Sequence, residues 1–292
     1  MQIVTDRGCD LSPAQLEGLD IHFAPMRLTL DGKTYSSGVD LSAEAFYDLI
    51  QQTDGFPTTS QPAAGEFAQM YRELAEKDPE IFSIHISSGL SGTMDSARAG
   101  AAMVPEAHVT FWDTKTLSCP EAWQVEAAAR AIKAGWSLDK VFGTLEVIRQ
   151  KCEGIYTLDT LNYLIHGGRI SHLKGLLASV LHIRPVIGVD KVNGKYYTLG
   201  QERTMKKALQ RIAITIAGLY PEGTPLRVQL LHGQNKDAVE ILREEMSSRF
   251  ESHWTPMMHV APILGAHTGE SLVGLSVGPA SIFREVPGII MG

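Results

Sequence analysis

Two hydroxyl-rich stretches, Thr59-Ser60 and Ser91-Gly92-Thr93, carry the donor groups that an anion needs. The second lies in Ser87–Thr93, just after the apolar run Ile81–Ile86, which reads as a short buried strand. A strand that empties into Ser, Gly and Thr and then into a helix gathers free backbone N–H groups and the positive helix end, while glycine lets a ligand come close. The same letters also make a well-capped helix start. For Thr59-Ser60 the structural alternative is a Ser/Thr turn leading into a helix. Pro62, however, suits the first helical position with Gln61 as N-cap, which leaves the two hydroxyls without a structural task. Both stretches are expected at the strand-end edge of a sheet, where α/β proteins bind ligands.

Four more positions could join such a site. His267 sits in Gly265-Ala266-His267-Thr268-Gly269, read as a glycine-flanked turn between strands, where a histidine faces a cleft more readily than a core. Gly167-Gly168-Arg169 reads as a helix end with Gly167 in the left-handed position, and this leaves the arginine unexplained. Arg203, in Gln201-Glu202-Arg203-Thr204, taken alone is a surface charge. Asp6, ending the opening strand, is either a cap or a site residue.

Several reaction classes lack their signatures. The chain has no Gly-x-x-x-x-Gly-Lys-Ser/Thr loop, no Gly-x-Gly-x-x-Gly fingerprint and no His-Glu-x-x-His. Gly89-Leu90-Ser91-Gly92 is one residue short of a nucleophile elbow. A serine hydrolase or esterase using Ser91, with His85 or His267 and Asp113, is the enzymatic alternative. An interaction module whose hydroxyl turns only cap helices is the plainest one.

The elements that must position these residues alternate in type. Short strands are expected at Gln2–Asp6, Ile21–Leu30, Ile81–Ile86 and Val109–Asp113. Between them lie helices capped by Ser12, Ser42 and Ser137, and one with Phe67, Met70, Tyr71 and Leu74 on a single stripe. This is the pattern of βαβ units around a largely parallel sheet. Near Ile155 the texture changes to hairpins mixed with helices. Asn193-Gly194 marks one hairpin, Leu173–Leu181 reads as a short apolar helix, and Met257–Ile263 and Leu272–Val277 read as late strands. The fold expected is therefore α/β in two domains. Residues 1–155 form a Rossmann-like α/β/α unit with a mainly parallel sheet, and residues 156–292 an α/β unit with a mixed sheet.

The 292 residues are 44% hydrophobic and 20% charged, with a net charge of −7, which argues against general binding of nucleic acid or anionic membrane. Cys9, Cys119 and Cys152 are odd in number and contain no Cys-x-x-Cys pair, so neither a disulfide framework nor a zinc ribbon is supported, and no metal is expected. The greasiest segment, Leu176–Val189, is broken by His182, Arg184 and Pro185, and the N-terminus enters a strand without a basic-then-apolar leader. A cytoplasmic protein without integral membrane contact is expected.

Taken in order, the motifs Val4-Thr5-Asp6, Thr59-Ser60-Gln61-Pro62, Ser87–Thr93, Thr157-Leu158-Asp159-Thr160-Leu161, Gly167-Gly168-Arg169-Ile170-Ser171, Ile183-Arg184-Pro185-Val186 and Gly265–Gly269 resemble the DegV family of bacterial fatty-acid-binding proteins. The resemblance spans almost the whole chain. It implies two α/β domains that bury a long-chain fatty acid, with the carboxylate held by Thr59 and Ser91 among their neighbours Ser60, Gly92, Thr93 and Thr268. It also implies a non-catalytic carrier subunit without cofactor, which presents the lipid to a separate fatty-acid kinase. Arg169, Arg203 and His267 would take part in that exchange. Two departures stand out: Arg7 replaces a small hydroxyl residue, and Gly269-Glu270-Ser271 replaces Gly-Pro-Gly.

A 16-carbon tail would bury about 14 methylenes at roughly 0.8 kcal/mol each. A hydroxyl bonded to a carboxylate would add roughly 1.5–3 kcal/mol. The tail would supply affinity and the hydroxyls orientation.

Overall fold

The computed structural model describes residues 1–173 and 183–292; most of the helix expected at Leu173–Leu181 lies outside the described residues. The first half runs β1 (Gln2–Asp6), α1 (Pro13–Leu16), β2 (Ile21–Ala24), β3 (Arg27–Leu30), β4 (Lys33–Ser36), α2 (Ala43–Gln51), β5 (Thr58–Ser60), α3 (Ala64–Ala75), β6 (Glu80–His85), α4 (Thr93–Ala101), β7 (His108–Asp113), α5 (Ser118–Lys133) and α6 (Leu138–Lys151). The second half runs β8 (Glu153–Thr157), α7 (Asn162–His166), β9 (Arg184–Val189), β10 (Tyr196–Glu202), α8 (Met205–Leu219), β11 (Leu226–His232), α9 (Lys236–Ser247), β12 (Ser252–Trp254), β13 (Met258–His259), α10 (Pro262–Thr268) and β14 (Val273–Pro279).

The protein is α/β, as its strand–helix alternation requires. Strands β2, β1, β6 and β7 form a four-stranded, wholly parallel sheet in that order. The second-half strands form one mixed sheet, β10-β9-β8-β14-β11-β12, with β13 also on β11. In it β14 runs antiparallel to both neighbours while β12 runs parallel to β11. Ser12, Ser42 and Ser137 cap their helices as expected, each accepting the amide three residues on.

Alanine-rich α5 is buried on nearly every face because it packs against β8, β14 and α6. Its Trp123 indole donates to Gln229 at 2.7 Å, and its Glu126 pairs with Arg227 at 2.7 Å, both side chains fully buried. Gln15, Arg130 and the Ile290 amide also donate to Glu126, so this buried charge is hydrogen-bonded on several sides.

Six local expectations are corrected. The expected strand Ile21–Leu30 breaks at Pro25, and β3 joins a third, antiparallel sheet of order β4-β3-β5. Thr58–Ser60 is a strand of that small sheet rather than a turn, pairing Thr59 with Leu28. Helix α3 begins after Ala63, not at Pro62: Glu66 accepts the Ala63 amide at 2.9 Å and is itself held by Arg27. Gln61 is therefore no cap.

The Gly265–Gly269 stretch is helix, not turn, because Pro262 starts α10 and Gly269, at φ 73°, ends it. Gly265 inside that helix lets Phe46 and Tyr47 approach; a Cβ there would lie 2.6 Å from ring carbon Cε1 of Phe46. The strand expected over Met257–Ile263 shrinks accordingly to β13. In the Gly167-Gly168 pair the left-handed residue is Gly168, at φ 76°, while Gly167 stays right-handed.

Candidate functional site

Strand β5 and helix α10 bring the first pair together. Thr59 Oγ1 lies 2.8 Å from His267 Nε2. His267 is only 9% exposed, and burial, aided by the positive charge of Arg169, pushes its pKa down to about 3. The imidazole is thus neutral at physiological pH. With its proton on Nε2 it donates to Thr59 Oγ1, and the threonine hydroxyl keeps its own proton free for a ligand. His267 Nδ1 is buried without a partner among the described residues, closed off by Gly167. A Cβ at Gly167 would collide with that ring nitrogen, so the glycine is explained by close approach rather than by its backbone angle.

The second hydroxyl comes from the loop between β6 and α4. Ser91 Oγ lies 2.8 Å from Thr93 Oγ1 and accepts the Thr93 amide at 3.3 Å, standing in for the side chain that N-cap Gly92 lacks. Gly92 must be small because the Gln61 amide lies where a Cβ would go, at 2.5 Å; Gln61 reaches on to donate to Ser96. The base of the loop is tied down by Asp6, whose carboxylate accepts the amides of Gly8 at 2.8 Å and Ile86 at 3.0 Å and meets His85 Nδ1 at 3.0 Å. Asp6 is a structural anchor for the loop.

Between these groups lies a cavity of about 300 Å³. Its polar wall is Thr59, Ser60, Gln61, Ser91, Arg169 and His267; Met26, Ile86 and Leu90 are among its apolar lining. Leu117, Tyr196 and Leu264 also line a second, narrow space of about 30 Å³, walled by Leu158, Leu231, Val260 and Leu272 among others. The interior is therefore amphipathic, polar at one end and apolar beyond a neck.

Of the expected site residues, Thr59, Ser60, Ser91, Arg169 and His267 converge on this cavity. Gly92 and the fully buried Thr93 support Ser91 from behind rather than lining the wall. Thr268 faces the narrow space, but its hydroxyl donates to the Leu264 carbonyl at 3.2 Å. Arg203 lies apart, exposed in the β10–α8 connection. Arg169 donates to the Gly167 carbonyl at 2.7 Å, which holds it near His267.

A hydrolytic triad is not assembled: the histidines the sequence offered to Ser91 are engaged elsewhere. His267 bonds Thr59, and His85 is fully buried between Ser83 and Asp6. Asp113 holds Ser88 and Lys115. Among the described residues no group of three or more His, Cys, Asp or Glu could hold a metal ion, and no helix is long and apolar enough to cross a membrane.

Sequence reasoning missed Tyr196 and gave Gln61 the wrong task. The available signal was the Tyr196-Tyr197 pair after an Asn-Gly turn, since strand alternation turns one of the two inward.

A parallel α/β layer joined to a mixed sheet around an amphipathic cavity defines the class: an α/β protein with an amphipathic interior cavity. The family model described as "Uncharacterised protein, DegV family" matches residues 1–280, and the chain belongs to that family. A DegV domain-containing protein of Staphylococcus aureus is 34% identical over 275 residues, covering 94% of this chain and 97% of that one. One from Deinococcus radiodurans is 31% identical over 279 residues, covering 96% of each. Among solved structures, a DegV family protein of Thermus thermophilus described by its fatty acid binding superposes with a TM-score of 0.86 at 29% identity, covering 95% of this chain and 99% of its own. DegV of Bacillus subtilis, described as a fatty acid binding protein, gives 0.83 at 28% identity, covering 95% and 98%.

Proposed function

We propose that this protein binds one long-chain fatty acid and presents its carboxylate to a separate fatty-acid kinase, which forms the acyl phosphate. The observation that carries the reading is the cavity with polar groups at one end and an apolar continuation beyond the neck. The fatty-acid binding ascribed to the Thermus and Bacillus relatives supports the choice of ligand. Thr59 and Ser91 donate to the carboxylate, with Ser60 beside them and Gly92 and Thr93 fixing Ser91; Thr268 belongs to the wall of the tail space. Residues 1–155 contribute these head-group loops, and residues 156–292 help to enclose the acyl chain.

Neutral donors suit the task of presentation. The Ser91 hydroxyl, and the Thr59 hydroxyl held by a neutral His267, orient a carboxylate without quenching its charge, leaving it able to attack a phosphoryl donor. In this reading Arg169 and His267, on the cavity wall, meet the incoming phosphoryl group, and exposed Arg203 contacts the kinase. Nucleotide, Mg²⁺ and catalytic electrostatics come from the kinase, so this chain is a carrier without activity of its own. Its site of action is the cytoplasm, in keeping with three unpaired cysteines.

The test is denaturing extraction of the purified protein followed by mass spectrometry, with titration of added palmitate or oleate. A protein that carries no lipid and takes up neither acid refutes the reading. Thr59→Ala combined with Ser91→Ala is expected to depress acyl-phosphate formation more than tail binding; equal loss of both would move the head-group site elsewhere.

A further inference from the structure

Among the described residues, Leu117, Tyr196 and Leu264 line both the polar cavity and the narrow apolar space, so these three stand at the boundary, or neck, between them. Tyr196 alone among them carries a polar side-chain atom. It opens β10, paired with Val189 across the β9–β10 hairpin, and alternation leaves Tyr197 on the outer face at 39% exposed. The Tyr196 ring packs against the apolar cluster that includes Leu117, Leu158 and Leu264.

We propose that Tyr196 is a third ligand-binding side chain, whose hydroxyl donates to the fatty-acid carboxylate while its ring sets the width of the neck. This assignment rests on the fatty-acid reading and adds to it a residue that reads the head group and the first methylenes together. A tyrosine is suited to that junction because one end of the side chain is apolar and the other is a donor. Its placement relative to Ser91 is fixed, since the tip of its own hairpin is fastened to the Ser91 loop by the Ser87–Gly194 hydrogen bond. Arg169 shares the cavity with it, and burial pushes the phenol up to about 12, so the hydroxyl stays protonated as a neutral donor.

The experiment compares delipidated full-length wild type, Tyr196→Phe and Tyr196→Leu in calorimetric titrations with oleate and with oleyl alcohol. A hydrogen bond to a charged acceptor is worth more than one to a neutral acceptor. Tyr196→Phe is thus expected to weaken oleate roughly ten-fold or more and oleyl alcohol by less than about three-fold. Tyr196→Leu, which keeps an apolar wall, carries the same contrast should the phenylalanine variant fail to melt cooperatively. Unchanged oleate binding by Tyr196→Phe overturns the proposal, as does an equal loss for acid and alcohol, which would reduce Tyr196 to packing. A wild type that binds neither probe overturns the fatty-acid reading itself, a result distinct from either outcome.

Discussion

The hydroxyl of Ser87 donates to the carbonyl of Gly194 at 2.8 Å across 107 positions of sequence, fastening the head-group loop to the tip of the β9–β10 hairpin. Ser87 is fully buried, and its oxygen also accepts the Gly89 amide at 3.1 Å. Gly89 lies so close to the tip that a Cβ there would come within 2.7 Å of Gly194 backbone atoms. The tip holds its own shape, because the Asp190 carboxylate accepts the amides of Val192 at 3.0 Å and Asn193 at 2.9 Å.

Ser87→Ala strands the Gly194 carbonyl and the Gly89 amide together. The expected cost is about 1–3 kcal/mol in urea denaturation, with weaker oleate binding because Ser91 loses its fixed support. Gly194→Ala should cost more, since φ is 68° there and the new methyl meets the Ser87 side chain. Wild-type stability in both variants would show that the contact does no positioning.

Gly167→Ala tests the wall behind His267. The added methyl collides with Nδ1 and pushes the ring away from Thr59. Oleate affinity is expected to fall by roughly ten-fold, the scale of one charge-assisted hydrogen bond, while Gly168→Ala acts through backbone strain at φ 76° and lowers stability instead. Titration and melting of the two variants separate these effects; identical behaviour would show that neither glycine is specific to the site.

His267 also predicts a pH response. Its folded pKa of about 3 lies below the ordinary value of 6.5, so between them the unfolded chain binds the proton and the fold does not. Its contribution is fully present above about 6.5 and is lost as pH falls toward 3, by roughly a few kcal/mol at most. His232, pushed down to about 4 by burial and by His259, adds a slope of the same sign. Asp10, raised to about 7 by burial, opposes it: that carboxyl stabilises the fold more at low pH than at high. His267→Gln should flatten the acid limb of stability against pH without changing the plateau slope above pH 7. An unchanged acid limb would show that the histidine protonates freely in the folded state.

The parts of this architecture that follow local rules were legible in the residues. Serine caps, the Asn193-Gly194 hairpin and the βαβ alternation act over a few positions, and the structure keeps them. Errors arose where tertiary contacts override local preference. Pro62 looked like a helix start, but Arg27 and Glu66 set the start at Ala63 instead. Gly265 and Gly269 looked like turn residues, yet one makes room for Phe46 and Tyr47 and the other closes a helix. Thr59, Ser91, Arg169 and His267 were picked out by residue type and family order. Tyr196 was not, because nothing in a strand sequence states which of two adjacent tyrosines meets a cavity built from both halves of the chain.

Ser91 bears on the enzymatic alternative most directly. A serine nucleophile needs a base within hydrogen-bond reach, and the side-chain partner of Ser91 Oγ is Thr93 Oγ1, a hydroxyl that cannot take up its proton at neutral pH. His267 points its Nε2 at Thr59, and with a pKa near 3 it would be a poor acceptor even if it turned. His85 is locked by Asp6 and Ser83 beneath the loop. Incubation with a fluorophosphonate probe is therefore expected to label wild type no faster than Ser91→Ala, with or without oleate in the cavity. Rapid labelling abolished only in Ser91→Ala would restore the hydrolase reading and require His267 to swing from Thr59 to Ser91.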